Sequence, residues 1–217
     1  MTNKHLSTFE RCPIIPVLVL DQRSVAVPLA RALKAGGITH LEVTLRTSVA
    51  LDAVTDIKKS VPGLQVGVGT VLSPLQYRDS VEAGADFIVA PGATIQLFEE
   101  AAKHSAIFVP GAATSSEIMI ALEFNFKVIK FFPASISGGV AALKALAGPF
   151  PDVGFMPTGG VSQKNIVDYL KLDNVIAVGG SWLTPVSAIA MKDWECIESI
   201  VRESIQLLEH ISKRTAA

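Results

Sequence analysis

Eight times along the chain a short apolar run gives way to a turn rich in Gly, Pro, Ser or Asp, and then to a segment whose apolar residues recur at helical spacing. The runs are Ile14–Leu20, Ile38–Leu45, Leu64–Gly69, Phe87–Ala90, Ile107–Val109, Val128–Phe131, Gly154–Met156 and Val175–Val178. Runs of this length suit parallel strands buried on both faces. The helical patterns between them, as at Val25, Leu29, Ala32 and Leu33, supply the crossover that each parallel neighbour requires. Gly36-Gly37, Pro62-Gly63, Gly84, Asn125 and Gly148-Pro149 mark helix ends, while Ser73-Pro74, Ser115-Ser116-Glu117 and Ser162 mark starts. No Pro/Ser-rich linker or composition shift divides the 217 residues. The pattern therefore predicts an α/β fold, a single (β/α)8 TIM barrel over residues 1–217, in preference to an open doubly wound sheet. Residues 1–12 read as an N-terminal arm or short helix, and 193–211 as an amphipathic C-terminal helix whose period signals burial.

Charge and motif content narrow the function. The chain carries 19 Lys+Arg against 20 Asp+Glu, a net charge of −1, without basic clusters. A nucleic-acid partner is not expected, because binding phosphate backbones needs concentrated positive charge. The longest apolar stretches are of strand length, so no membrane span is expected. Asp21-Gln22-Arg23-Ser24 follow the first strand where a dinucleotide fold would place G-x-G-x-x-G. The polar N-terminus and two isolated cysteines, Cys12 and Cys196, suit a reduced, cytoplasmic protein. His5, His40, His104 and His210 are scattered, and no cysteine cluster occurs, so neither a metal nor a cofactor is expected.

In a barrel the chemistry collects at the C-terminal ends of the strands. The second run, read on by one residue, carries Glu42 and Arg46, which by the strand's period of two face away from Leu41, Val43 and Leu45 and into the barrel. They are read as functional; an ion pair closing a barrel layer is the competing reading. In the sixth run Lys130 is enclosed by Ile129, Phe131 and Phe132. Desolvation disfavours an ammonium relative to the free amine, and a free amine attacks a ketone carbonyl to form a Schiff base. Lys130 is thus the candidate nucleophile, although snorkelling to the mouth or neutralising Glu42 would also account for it. Two glycine-rich strand ends, Thr158-Gly159-Gly160 and Gly179-Gly180-Ser181, follow the seventh and eighth runs, the usual place for a phosphate cradle built from backbone N–H groups. Thr70 and Pro91 would line the same mouth. An isomerase or lyase working by carboxylate chemistry, and a phosphate-ligand binder without chemistry, are the competing functions.

Several motifs carry a more specific message. Leu41-Glu42-Val43-Thr44-Leu45-Arg46-Thr47, Gly67-Val68-Gly69-Thr70-Val71-Leu72, Lys130-Phe131-Phe132-Pro133-Ala134, Gly148-Pro149-Phe150, Pro157-Thr158-Gly159-Gly160 and Gly179-Gly180-Ser181-Trp182 occur in this order. Together they resemble the 2-keto-3-deoxy-6-phosphogluconate (KDPG) aldolase family, which includes 4-hydroxy-2-oxoglutarate aldolases. The resemblance implies a metal-independent class I aldolase on a (β/α)8 barrel, a homotrimer, releasing pyruvate and glyceraldehyde 3-phosphate from a phosphorylated keto sugar acid. It implies Lys130 as the Schiff-base lysine and Glu42 as general acid/base. Arg46 and Thr70 would hold the pyruvate carboxylate. Pro91, Phe132 and Thr158 would line the pocket, and Gly159, Gly160, Gly180 and Ser181 would hold the phosphate. Ser135 stands where family members of the phosphogluconate type commonly have Glu. Serine there also occurs in the related phosphogalactonate aldolases, which leaves the C4 epimer open.

Overall fold

The computed structural model describes residue 9 and residues 13–215, so the remainder of the expected N-terminal arm lies outside the described residues. Strands and helices alternate from β1 (Ile14–Leu18) onward: α1 (Ala26–Ala35), β2 (His40–Thr44), α2 (Ala50–Ser60), β3 (Gln65–Gly69), α3 (Pro74–Glu82), β4 (Phe87–Val89) and α4 (Ile95–Ala101). The series continues through β5 (Ile107–Val109), β6 (Gly111–Ala112), α5 (Ser115–Glu123), β7 (Val128–Phe131), α6 (Gly139–Ala147) and β8 (Gly154–Pro157). It closes with α7 (Ile166–Leu170), β9 (Val178–Gly180), α8 (Val186–Met191) and α9 (Trp194–Thr215).

Local sequence explains several of these boundaries. Ser73 caps α3 by accepting from Gln76 N, with Pro74 at the first helical position. Thr114 and Glu117 form a reciprocal capping box at α5, one residue ahead of the serines expected to do so. Along α1, Ala26, Leu29, Ala30 and Leu33 fall on one face and are fully buried. Truncating Leu29 or Leu33 to Ala would cost about 2–5 kcal/mol.

Among the described residues the strands pair in parallel. One curled sheet runs in the order β5-β4-β3-β2-β1-β9, and a second in the order β6-β7-β8. Two isolated parallel bridges, Phe155↔Val175 and Thr158↔Gly179, connect β8 to the β9 region. At the other seam Pro110 separates β5 from β6, and its carbonyl accepts from Lys130 N at 2.9 Å. The fold is thus α/β with a curled parallel sheet. The fifth apolar run is split by Pro110, which lacks the N–H that a continuous ladder needs. The last strand begins at Val178, three residues beyond the expected start, and Val175 contributes only a bridge.

Two apolar layers follow from the period of two. Leu41, Val43, Val66, Val68 and Ile88 pack outward against helix residues such as Leu29, Val54 and Tyr77. Ile15, Phe87, Val89, Val109, Val128, Met156 and Ala177 form a separate inner cluster with Phe9. That inner cluster draws on both sheets, so the two curl around a common centre.

Candidate active site

Glu42 lies at the middle of β2 and is fully buried; Lys130, the third residue of β7, is 5% exposed. Lys130 Nζ donates to Glu42 Oε1 at 3.1 Å and to Oε2 at 3.5 Å. The Phe132 ring centroid is 5.4 Å from Nζ, close enough for its π face to attract the cation. Attraction between two desolvated charges is largely offset by the cost of removing them from water, so the pair adds little net stability. Its cost points to chemistry. Thr44, two residues beyond Glu42 on the same face, donates its hydroxyl to Leu18 O at 2.8 Å.

Arg46 does not join this pair. β2 ends at Thr44 and a turn begins at Leu45, so the alternation of faces stops before position 46 and Arg46 is exposed. The reading that put Arg46 inside the barrel beside Glu42 is corrected accordingly: the carboxylate's partner is Lys130. Thr70, the first residue beyond β3, is half-buried at φ 59. A β-branched residue in the left-handed region holds about 1–3 kcal/mol of strain, the kind of cost met at functional sites. Pro91 follows buried Ala90, and its carbonyl group lies against Gly111 of β6.

Thr158 follows β8 and is 6% exposed, with its N–H donating to Phe131 O at 3.0 Å and its carbonyl accepting from Ala134 N at 2.7 Å. Its Oγ1 is buried and has no hydrogen-bond partner among the described residues. Gly159 and Gly160 take φ 92 and 80, conformations that need glycine, and Gly159 O accepts from Ser135 N at 3.0 Å. Asn165 fixes the same loop, donating from Nδ2 to Gly160 O at 2.9 Å and accepting from Ser162 N at 2.8 Å. Asn165 escaped sequence reasoning, although an asparagine just before a helix is a known loop clamp. Gly179 and Gly180 are corrected as well: they lie inside β9 rather than in a loop after it, and Gly180 pairs with Pro16 beneath the Trp182 ring. Ser181 is the exposed residue that follows.

The structure therefore unites Glu42, Lys130 and Phe132, and sets Thr158 between Phe131 and Gly179. It joins Ser135 to Gly159, and leaves Arg46 and Ser181 at the surface. A buried amine facing a carboxylate can exchange a proton with it and attack a carbonyl. Backbone N–H groups of a left-handed glycine pair can face an anion. Among the described residues no three His, Cys, Asp or Glu side chains gather as a metal-binding group, and no helix is long and apolar enough to cross a membrane.

A family model described as "Aldolase: KDPG and KHG aldolase" matches residues 6–200. The KHG/KDPG aldolase of Escherichia coli (strain K12) is 47% identical over 194 residues, spanning 89% of this chain and 91% of its own. The 2-dehydro-3-deoxy-phosphogluconate aldolase of Pseudomonas aeruginosa is 45% identical over 193 residues, 89% of this chain and 88% of its own. The crystal structure of KDPG aldolase from Legionella pneumophila, with pyruvate captured at low pH as a covalent carbinolamine intermediate, matches with a TM-score of 0.90 at 43% identity. That match covers 93% of this chain and 98% of the other. Fold and relatives together define an aldolase, a carbon–carbon lyase. Within that class, the chain belongs to the KDPG and KHG aldolase family.

Proposed function

We propose that the chain cleaves 2-keto-3-deoxy-6-phosphogluconate to pyruvate and glyceraldehyde 3-phosphate through a Schiff base on Lys130, and 4-hydroxy-2-oxoglutarate to pyruvate and glyoxylate by the same steps. The observation that carries this reading is the buried Lys130–Glu42 pair, 3.1 Å apart. A proton passed from Nζ to Glu42 leaves a free amine that attacks the C2 ketone. The carbinolamine's hydroxyl takes that proton back from Glu42 and leaves as water, giving an iminium and restoring the carboxylate. The C3–C4 bond then breaks, its electron pair moving into the iminium to form an enamine while Glu42 takes the C4 hydroxyl proton and the aldehyde departs. Returning that proton to C3 and adding water to the iminium releases pyruvate and restores Lys130.

In this reading Thr70 and Arg46 hold the substrate carboxylate, Arg46 reaching in from the turn beyond β2. Pro91, Phe132 and Thr158 line the pocket, and Gly159, Gly160, Gly180 and Ser181 hold the phosphate. The two curled sheets close as one single-domain (β/α)8 barrel, with the bridges at Thr158 and Phe155 and the Pro110 seam as its joints; the protein works in the cytoplasm as a homotrimer without a cofactor.

The test is borohydride reduction with pyruvate present, followed by peptide mass mapping of every lysine. A pyruvate-derived adduct on Lys130 is expected; absence of any adduct in folded protein would overturn the reading. A coupled assay for pyruvate with the two C4 epimers then ranks phosphogluconate against phosphogalactonate substrates, the choice on which Ser135 bears.

A further inference from the structure

We propose that Gly69 is a positioning residue for Glu42, its missing side chain forming the socket in which the carboxylate is held against Lys130. The inference rests on the Schiff-base reading above for its catalytic consequence, while its structural half stands on β3 alone.

β3 reads Gln65-Val66-Gly67-Val68-Gly69, so Val66 and Val68 pack outward while the face carrying positions 67 and 69 is bare. The register pairs Glu42 with Gly67 and Thr44 with Gly69. Gly69 is therefore the diagonal neighbour of Glu42, toward the C-terminal end of the strands, and a side chain leaning along its strand passes over it. A Cβ at position 69 would lie 2.5 Å from Glu42 Cδ and 2.6 Å from Cγ, with Oε1 closer still. Contacts below 3.0 Å are essentially never seen for real Cβ atoms.

Two details separate this glycine from an ordinary turn residue. Gly69 is absent from the glycines with positive φ, so the backbone at this position accommodates alanine without strain. The three nearest atoms that its Cβ would meet all belong to the Glu42 side chain. The closest clash is thus with Glu42, and what must yield first on substitution is a side chain rather than backbone. Adding one methyl group therefore displaces the carboxylate from its 3.1 Å contact with Lys130 while the strand stays intact. Gly67 repeats the device with a different neighbour, its bare face receiving the Phe87 ring from β4.

The experiment is a double-mutant cycle of wild type, Gly69→Ala, Glu42→Ala and the pair, read by three measurements: melting temperature, trapping of pyruvate on Lys130, and kcat/KM for aldol cleavage. Gly69→Ala is expected to lower kcat/KM by about 10²-fold, the scale of a 1 Å misplacement, with the loss in kcat and with Lys130 still trappable. In the Glu42→Ala background the same substitution is expected to change both rate and melting temperature by far less, because the residue that it displaces is gone. Equal losses in both backgrounds, or wild-type kcat in Gly69→Ala, would overturn the proposal. Should Gly69→Ala fail to fold while the pair folds, the coupling is upheld in its stability half. Should wild type trap no pyruvate, the Schiff-base reading fails, and the melting-temperature cycle still decides whether Gly69 houses Glu42.

Discussion

Lys130 Nζ stands 3.1 Å from Glu42 Oε1 although 88 positions separate the two residues in the chain. β2 belongs to the curled six-stranded sheet and β7 to the three-stranded one, so the contact crosses the space between them. Each residue interrupts an apolar strand, and each is buried because the other is there. Such a pair is costly to assemble and more costly to break on one side, since the surviving charge is left without a counter-ion in an apolar surround.

Removing the lysine in two different ways separates chemistry from stability. Lys130→Arg keeps a cation opposite Glu42 but removes the nucleophile, because a guanidinium is not deprotonated in proteins. It is expected to fold and to lose turnover by at least about 10³-fold; turnover within tenfold of wild type would favour carboxylate chemistry without a covalent step. Lys130→Met leaves Glu42 unpaired and is expected to lose about 3–5 kcal/mol in urea denaturation, recovered in large part when Glu42→Leu is added.

Legibility in the sequence followed locality. Glu42 and Lys130 stood out because charged residues inside apolar strands demand an explanation, and that demand needs only a few neighbours on either side. Alternation of faces predicts an inward Arg46 only for a strand that runs past Thr44, where the backbone turns; a strand's end depends on its partner strand, which the local pattern does not contain. The same holds for Gly179 and Gly180, whose membership of β9 depends on pairing with Ile15 and Pro16. Gly69 could not be understood from its own run at all, since the reason for it is a side chain on β2.

At the N-terminal end of β2, His40 is expected to make native stability fall toward mild acid. Its ring lies 5.7 Å from Phe9 and 6.2 Å from Phe87, Nδ1 is 2.9 Å from Thr39 Oγ1, and Nε2 has no partner among the described residues. Burial lowers its pKa from 6.5, with Asp86 pulling weakly the other way. The unfolded chain then binds the proton more tightly than the native one, so stability is full above pH 6.5 and is lost as pH falls through that value toward the depressed native pKa. Urea midpoints of wild type and His40→Phe, measured from about pH 8 to about pH 5, should show the slope in wild type and its loss in the variant.

A second, more acidic window belongs to Glu100 on α4. His104 Nε2 at 3.0 Å, Lys103 Nζ at 3.1 Å and Arg78 at 3.3 Å surround its carboxylate. Hydrogen bonds from His104 and Lys103 hold its pKa down from 4.5 to about 2, against desolvation. Here the native state holds the proton less tightly than the unfolded chain, so the contribution is complete above pH 4.5 and vanishes as pH falls toward about 2. Glu100→Gln is expected to flatten acid unfolding between these limits while leaving the His40 window unchanged; identical acid midpoints in circular dichroism for variant and wild type would contradict it.

Thr158 sets stability against activity within one hydroxyl group. Its Oγ1 is buried without a partner among the described residues, a state that costs the free protein about 1–3 kcal/mol. Gly179, across a parallel bridge, keeps that side of the threonine open: a Cβ there would meet Oγ1 and would lie 3.2 Å from Cγ2. A hydroxyl held in place yet unbonded has its full hydrogen-bonding capacity left for a ligand. Thr158→Val preserves the shape and removes the orphan group, so the free protein should melt no lower than wild type and up to several degrees higher, at about 2–4 °C per kcal/mol for a chain of this size. The same change should lower kcat/KM on the phosphorylated sugar acid by about 5- to 150-fold, the equivalent of one lost hydrogen bond to a buried partner. A variant that melts lower and keeps its kcat/KM would show that the hydroxyl serves the fold, through an ordered water for example, and not the substrate.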